Sequence, residues 1–233
     1  MFFFDSTFFL LILPALALSM FAQYRVKSAY NKYSTVRSAK GYRGVDVARE
    51  LLQSSGVYDV RVEPTHGMLT DHYDPRSRVV RLSEGVYNSS SLAALGIAAH
   101  EVGHAVQHNV GYVPLGLRSA LVPVSGFGSK LAMPLIFIGL LLAEGAGSIG
   151  LVLAQVGILL YCAAVVFTLI TLPVEFNASA RAIELLSENR FLTADEVSPT
   201  KRVLNAAALT YVAATITAIM SLIRLILIVN RRR

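Results

Sequence analysis

The chain has 233 residues, of which 54% are hydrophobic and only 15% are charged, and its mean hydropathy is +0.55. This balance argues against an ordinary soluble domain and, because the apolar residues fall in long runs, indicates a membrane protein. The net charge of +6 comes from scattered basic residues without a nucleic-acid-binding motif, so no nucleic-acid partner is expected. A single cysteine, Cys162, excludes an internal disulfide framework.

The first apolar segment, residues 1–23, predicts a transmembrane anchor. Asp5 is the only charge before its apolar core, and basic residues follow the segment. This order is the reverse of a secretory signal peptide and suits a retained anchor whose N-terminus lies outside the cell. A cleaved signal peptide is the alternative interpretation.

Residues 24–117 predict a folded domain that combines helices with a small antiparallel sheet. The segment VDVARELLQSSG (45–56) repeats apolar residues at helical spacing. Residues that favour β-structure flank a turn at 74–77 and predict a hairpin that pairs 68–73 with 78–83. Residues 88–91 offer an N-cap for SLAALGIAAHEVGHAVQHN, which predicts one buried helix of about five turns.

The rest of the chain predicts a membrane hairpin and two further segments. Proline and glycine break the stretch 112–130 and predict interfacial structure there. Residues 118–173 combine the rest of this interfacial segment with two apolar runs that form the hairpin. Residues 174–208 predict a polar helical segment on the side to which the hairpin returns, with Pro173 marking the helix start. Residues 209–233 predict a transmembrane or interfacial helix that ends in an arginine tail. The fold class is therefore mainly α, integral to the membrane, with three or four transmembrane helices.

The distribution of basic residues predicts the orientation in the cell membrane. Thirteen of the 21 Lys and Arg residues lie between positions 25 and 130, and many of them lie close to predicted membrane ends. The positive-inside rule therefore places the main domain in the cytoplasm. If the last apolar segment spans the bilayer, its arginine tail runs against this rule.

The segment HEVGH (100–104) matches the H-E-x-x-H pattern on a predicted helix. Four residues advance a helix by about 400°, so His100 and His104 share one face about 6 Å apart along the axis and can bind one Zn²⁺ ion. Glu101 lies about 100° around the helix, where its carboxylate can take a proton from water that the metal acidifies. The alternative is that these three residues are core polar groups with hydrogen-bond partners, but two histidines and a glutamate on an apolar helix are costly to bury without a strong partner.

A catalytic zinc site needs a third protein ligand. His108 lies about 12 Å along the axis and about 80° around the helix from His100, so both cannot bind the same ion. Gln107 and Val110 exclude the metzincin pattern. Glu175 follows the predicted hairpin directly and is the predicted third ligand, and the alternative is that it only caps its helix.

Together these segments resemble the YugP-like neutral zinc metallopeptidases of bacterial membranes. The likeness runs from VDVARELL through LTDHYDPRSRVVRLSEGVYN and AAHEVGHAVQH to residues 173–182, and it covers most of the chain. The family is similar in plan to integral-membrane gluzincins, whose third zinc ligand is the Glu of an E-x-x-x-D helix. Glu175 matches that Glu, whereas Ser179 stands in place of the Asp, so Asn177, Ser179 or another group would orient the zinc histidines.

The resemblance implies a zincin-like α+β catalytic domain in a multi-pass membrane protein. It implies a zinc-dependent endopeptidase in which Glu101 activates water, acting on membrane-associated proteins or peptides. Residues 69–74 would supply the edge strand to which the substrate backbone adds. The candidates for contacts with the substrate or the transition state are His72, Tyr73, Asn177 and Arg181, and purely structural roles are the alternative for them.

The main alternative function is a non-enzymatic membrane scaffold that keeps a zinc site for folding. A structural site would close its fourth position with another Cys or His, and the sequence offers no evident one, while Glu101 favours catalysis. A transporter fits less well, because the apolar segments hold almost no ionisable residue except Arg224. The sequence indicates neither the substrate nor the oligomeric state.

Overall fold

The computed structural model describes residues 5–143 and 148–231. Within them the chain is mainly helical and has one small sheet. A π-helical turn, Phe8–Ile12, leads into the first α-helix. The elements in chain order are α1 (Leu13–Tyr33), α2 (Gly44–Ser54), β1 (Arg61–Thr65), β2 (His72–Asp74), β3 (Val79–Ser83), α3 (Glu84–Tyr87), α4 (Leu92–Asn109), α5 (Val113–Ala143), α6 (Ser148–Glu188) and α7 (Ala194–Asn230).

The described residues divide into two compact units. The first, the apolar unit, comprises the residues up to Phe21, those between Leu117 and Leu172, and those from Tyr211 onward. The second, the zinc-motif unit, comprises Ala22–Gly116 and Pro173–Thr210. HEVGH and Glu175 therefore belong to the same unit, although some seventy residues separate them in the sequence.

Four described helices are long and apolar enough to cross a membrane: Phe8–Tyr33, α5, α6 and α7. The prediction of a mainly helical protein is confirmed, and these four helices are candidates for the predicted membrane-spanning segments. The sequence left open whether the last apolar segment spans the membrane or lies at its interface. In the structure this segment forms part of the continuous helix α7. The cytoplasmic placement of the zinc-motif unit stays a prediction.

Two predicted helix breaks are wrong. Helix α5 runs without interruption through Pro123, although broken structure was expected from residue 112 to residue 130. It also continues through Pro134. Helix α6 likewise runs through Pro173, which was expected to start a new helix. Membrane helices tolerate internal proline because neighbouring helices and local adjustments satisfy the freed backbone groups. Consequently Glu175 does not lie in a first helical turn, and the capping role considered for it does not apply.

Small residues bring α5 and α6 close together within the apolar unit. A Cβ atom on Gly139 would lie 2.5 Å from the backbone nitrogen of Ala154, and one on Gly157 would lie 2.8 Å from the carbonyl oxygen of Ala132. Such contacts leave no room for a side chain, so glycine permits the close backbone packing that is typical of membrane helices.

The zinc-motif unit is built around α4, as the sequence predicted. Ser91 caps this helix by accepting a hydrogen bond from the backbone N–H of Ala94 at 3.2 Å. Most of the residues of α4 are buried. The core around it draws on α2, the sheet, and parts of α6 and α7, with members that include Val45, Leu51, Leu82, Leu95, Val102, Leu186 and Leu204.

The sheet has three strands in the order β1-β3-β2 and is mixed. The predicted hairpin exists but is shorter, because β2 starts at His72 and pairs antiparallel with β3 from His72↔Arg81 to Asp74↔Val79. Strand β1 pairs parallel with β3, so the prediction of a purely antiparallel sheet is wrong. Alternation of apolar residues does not encode strand direction, and here the chain passes through β2 before it reaches β3.

Candidate metal centre

Three side chains of the zinc-motif unit converge on one point. His100 and His104, on α4, present their Nε2 atoms to one carboxylate oxygen of Glu175, on α6, at 3.2 Å and 3.6 Å. Their possible ligand atoms all lie within 4.8 Å of one another. A tetrahedral zinc ion with bonds of about 2.0–2.1 Å separates its ligand atoms by about 3.3–3.4 Å. The donor set and its spacing therefore fit a zinc ion.

Burial and charge also favour a cation at this point. The Glu175 side chain is only 2% exposed, and a buried carboxylate is costly without a positive partner. Burial opposes a charge on the His104 ring, but the carboxylates of Glu175 and Glu101 outweigh it and raise the pKa of His104. The pocket thus attracts positive charge, which a divalent metal can supply.

Each histidine of the cluster also has a hydrogen-bond partner at its other ring nitrogen. The Nδ1 atom of His100 lies 3.1 Å from the hydroxyl oxygen of Ser179. The Nδ1 atom of His104 lies 3.0 Å from Oε1 of Gln107. Such contacts orient histidines for metal binding. Ser179 was one of the residues considered for this task, whereas sequence reasoning missed Gln107, although its position one turn after His104 on a buried helix is a usable signal.

Glu101 follows His100 on α4 and is buried. A second carboxylate, which sequence reasoning missed, lies within electrostatic range of it. Burial raises the pKa of Asp71, hydrogen bonds from Ser83 only partly offset this, and the charge of Glu101 raises the pKa further. Asp71 accepts hydrogen bonds from the backbone nitrogen of Ser83 at 2.7 Å and from its hydroxyl group at 3.0 Å. It thereby ties the loop before β2 to the end of β3.

The structure does not bring His108 into the cluster. Its Nδ1 atom instead lies 2.8 Å from the hydroxyl oxygen of Tyr73 on β2. His72 is exposed, and its Nδ1 atom lies 2.8 Å from the carbonyl oxygen of Thr70. The expected contacts of His72 and Tyr73 with a substrate stay predictions.

Asn177 and Arg181, the other two candidates for substrate contacts, bind each other on α6. The Nε–H group of Arg181 donates to Oδ1 of Asn177 at 2.8 Å. The same oxygen accepts a hydrogen bond from Nε2 of Gln107 at 2.9 Å. Both residues are thereby linked to His104 through Gln107, and their expected contacts with a substrate stay predictions.

Gly103 allows α4 and α6 to approach closely beside the cluster. A Cβ atom at this position would lie 2.7 Å from the carbonyl oxygen of Ala178 and 3.2 Å from its Cα atom. We expect Gly103→Ala to push the helices apart and to lower the free energy of unfolding by about 1–3 kcal/mol. Thermal unfolding of the purified protein in detergent measures this change as a lower Tm.

Gly116→Ala is the matched control for this substitution. Gly116 is also helical, but nothing lies within 4 Å of the place where its Cβ atom would be. Alanine is the better helix former, so this variant should melt no earlier than the wild type. A Gly103→Ala protein that melts together with the wild type would contradict the close approach.

Comparison with known proteins identifies the family of this chain. A family described as “Putative neutral zinc metallopeptidase” matches residues 8–230. The “Putative membrane protease YugP” of Bacillus subtilis (strain 168) is 49% identical over 221 residues, which cover 95% of this chain and 96% of that protein. No solved structure matches. The resemblance inferred from the sequence is confirmed, and the chain belongs to this family of neutral zinc metallopeptidases.

Proposed function

We propose that the protein is a membrane-embedded, zinc-dependent endopeptidase that hydrolyses peptide bonds of membrane-associated proteins or peptides. The convergence of His100, His104 and Glu175 within one buried cluster carries this proposal. The family membership of the chain and its four membrane-capable helices support the same conclusion. In this proposal the three residues hold the metal, and the two histidines bind through Nε2 because Nδ1 of each has another partner.

A bound zinc ion supplies a Lewis acid that polarises the peptide carbonyl and lowers the pKa of water. The carboxylate of Glu101 accepts a proton from the attacking water and then donates it to the nitrogen of the leaving amine. Burial of Glu101 shields this proton transfer from bulk solvent. The proposal therefore assigns both proton transfers to Glu101, which directly follows the metal ligand His100 on α4.

The small sheet offers a place for the substrate. Among the described residues, strand β2 lies at one edge of the sheet and pairs with β3 alone. An extended peptide can add to such an edge through backbone hydrogen bonds. The proposed zincin-like domain thus consists of this sheet and α4, with His72 and Tyr73 on the strand that would meet the substrate.

A scaffold with a structural zinc site is less well supported. A structural site has four protein ligands, whereas the group of potential ligands within the described part of the chain has three members. A fourth position left to water is the arrangement of catalytic zinc sites. The donor count therefore favours hydrolysis.

The test uses the purified full-length protein in lipid nanodiscs, loaded with zinc, and unfolded casein as the substrate. We expect cleavage that stops when 1,10-phenanthroline removes the metal and returns when zinc is added back. Metal content is measured on the same samples. A protein that holds one zinc ion per chain and cleaves neither casein nor a membrane-anchored peptide would be a scaffold and would contradict the proposal.

A further inference from the structure

A chain of hydrogen bonds runs from the surface of α6 to His104. The Nε–H group of Arg181 donates to Oδ1 of Asn177 at 2.8 Å. The Nε2 amide group of Gln107 donates to the same oxygen at 2.9 Å and to the carbonyl oxygen of Val174 at 2.8 Å. Oε1 of Gln107 lies 3.0 Å from Nδ1 of His104. Gln107 is fully buried, at 0% exposure, so water cannot replace these partners.

The two ends of this chain fix the direction of every hydrogen bond in it. A guanidinium group only donates, so Asn177 must turn its oxygen toward Arg181. A backbone carbonyl only accepts, so Gln107 must turn its NH₂ group toward Val174, which is also the orientation that suits Asn177. The Gln107 oxygen is then left facing His104, and a carbonyl oxygen accepts only from a protonated ring nitrogen.

We propose that Gln107 is a positioning residue that selects the metal-binding tautomer of His104. With its proton held on Nδ1, the ring presents the lone pair of Nε2 toward Glu175. This inference rests on the proposed metal centre, but it does not depend on peptide cleavage. The two histidines differ in this respect. The hydroxyl group of Ser179 beside His100 can donate or accept a hydrogen bond, so it selects neither tautomer of His100.

Two substitutions of Gln107 separate this role from a purely structural one. Gln107→Met and Gln107→Glu both remove the NH₂ group that binds Val174 and Asn177. Only glutamate keeps an oxygen that can accept from Nδ1 of His104. Zinc affinity is measured by competition with a chromophoric chelator, and the Tm of the metal-free protein is measured beside it.

We expect Gln107→Met to weaken zinc binding about 10–100-fold, the range for lost partners of metal ligands. Gln107→Glu should bind zinc within about threefold of the wild type, even if its Tm falls as far as that of Gln107→Met. Gln53→Met, which changes an exposed glutamine on α2, should leave the affinity unchanged. Equal losses of affinity in both Gln107 variants, or no loss in either, would overturn the proposal.

A measurement on the wild type keeps the proposal testable if a variant fails to fold. Side-chain ¹⁵N NMR of the zinc-loaded protein reports which nitrogen of His104 carries the proton. We expect a protonated Nδ1 and a metal-bound Nε2, and the opposite assignment would overturn the proposal. A wild-type protein that binds no zinc would instead refute the metal centre itself, so the two failures are distinguishable.

Discussion

Replacing Glu175 by alanine should remove most of the zinc from the purified protein, while His108→Ala should keep one ion per chain. One carboxylate oxygen of Glu175 lies 3.2 Å from Nε2 of His100 and 3.6 Å from Nε2 of His104. Without the Glu175 side chain, the metal would keep two protein ligands. We expect a loss in affinity above the roughly 10–100-fold that follows loss of a ligand's hydrogen-bond partner. His108 contacts Tyr73 instead, so its removal should not reach the metal.

Zinc content by atomic spectroscopy and affinity by chelator competition measure the two effects. Glu184→Ala, an exposed glutamate farther along α6, is the control for a general change in this helix. Glu175→Gln keeps nearly the same side-chain volume and separates loss of charge from loss of packing. Equal loss of zinc in the Glu175→Ala and His108→Ala proteins would contradict the assignment of Glu175 as the third metal ligand.

Replacing Glu101 by glutamine should leave zinc binding intact and abolish cleavage. The amide group has nearly the same size as the carboxylate but cannot accept a proton from water. General-base catalysis typically contributes about 10²–10⁴-fold to a rate, so kcat should fall by at least that order. Glu101 is not among the three residues of the cluster, which is why the metal should stay.

Cleavage of a fluorogenic peptide by the zinc-loaded variant, compared with the wild type at equal metal content, gives the result. A Glu101→Gln protein that cleaves as fast as the wild type would assign proton transfer to another group. A variant that loses its zinc would show instead that Glu101 helps to hold the metal. Either outcome would require a different assignment of roles within HEVGH.

The convergence of HEVGH with Glu175 was predictable because each step followed from a local rule. The period of the helix places His100 and His104 on one face. The order of the apolar segments predicts that the chain returns to that side just before Glu175. The structure brings all three side chains together within one compact unit.

Other features of the site were not predictable from local rules. Pro173 was expected to start a helix, yet α6 continues through it, because neighbouring helices in a membrane protein can compensate for proline. The hydrogen-bond partners of His100 and His104 depend on how α4 and α6 face each other, and Gln107 on α4 donates to Val174 and Asn177 on α6. The direction of the strands was not predictable either, because the parallel pairing of β1 with β3 depends on how the chain folds between them.

The most direct test of the metal centre is anomalous X-ray diffraction at the zinc absorption edge from crystals of the wild-type protein. We expect one zinc peak per chain, within about 2.0–2.2 Å of Nε2 of His100, Nε2 of His104 and a carboxylate oxygen of Glu175. A zinc ion bound through His108, or a zinc ion that Glu175 does not touch, would contradict the account.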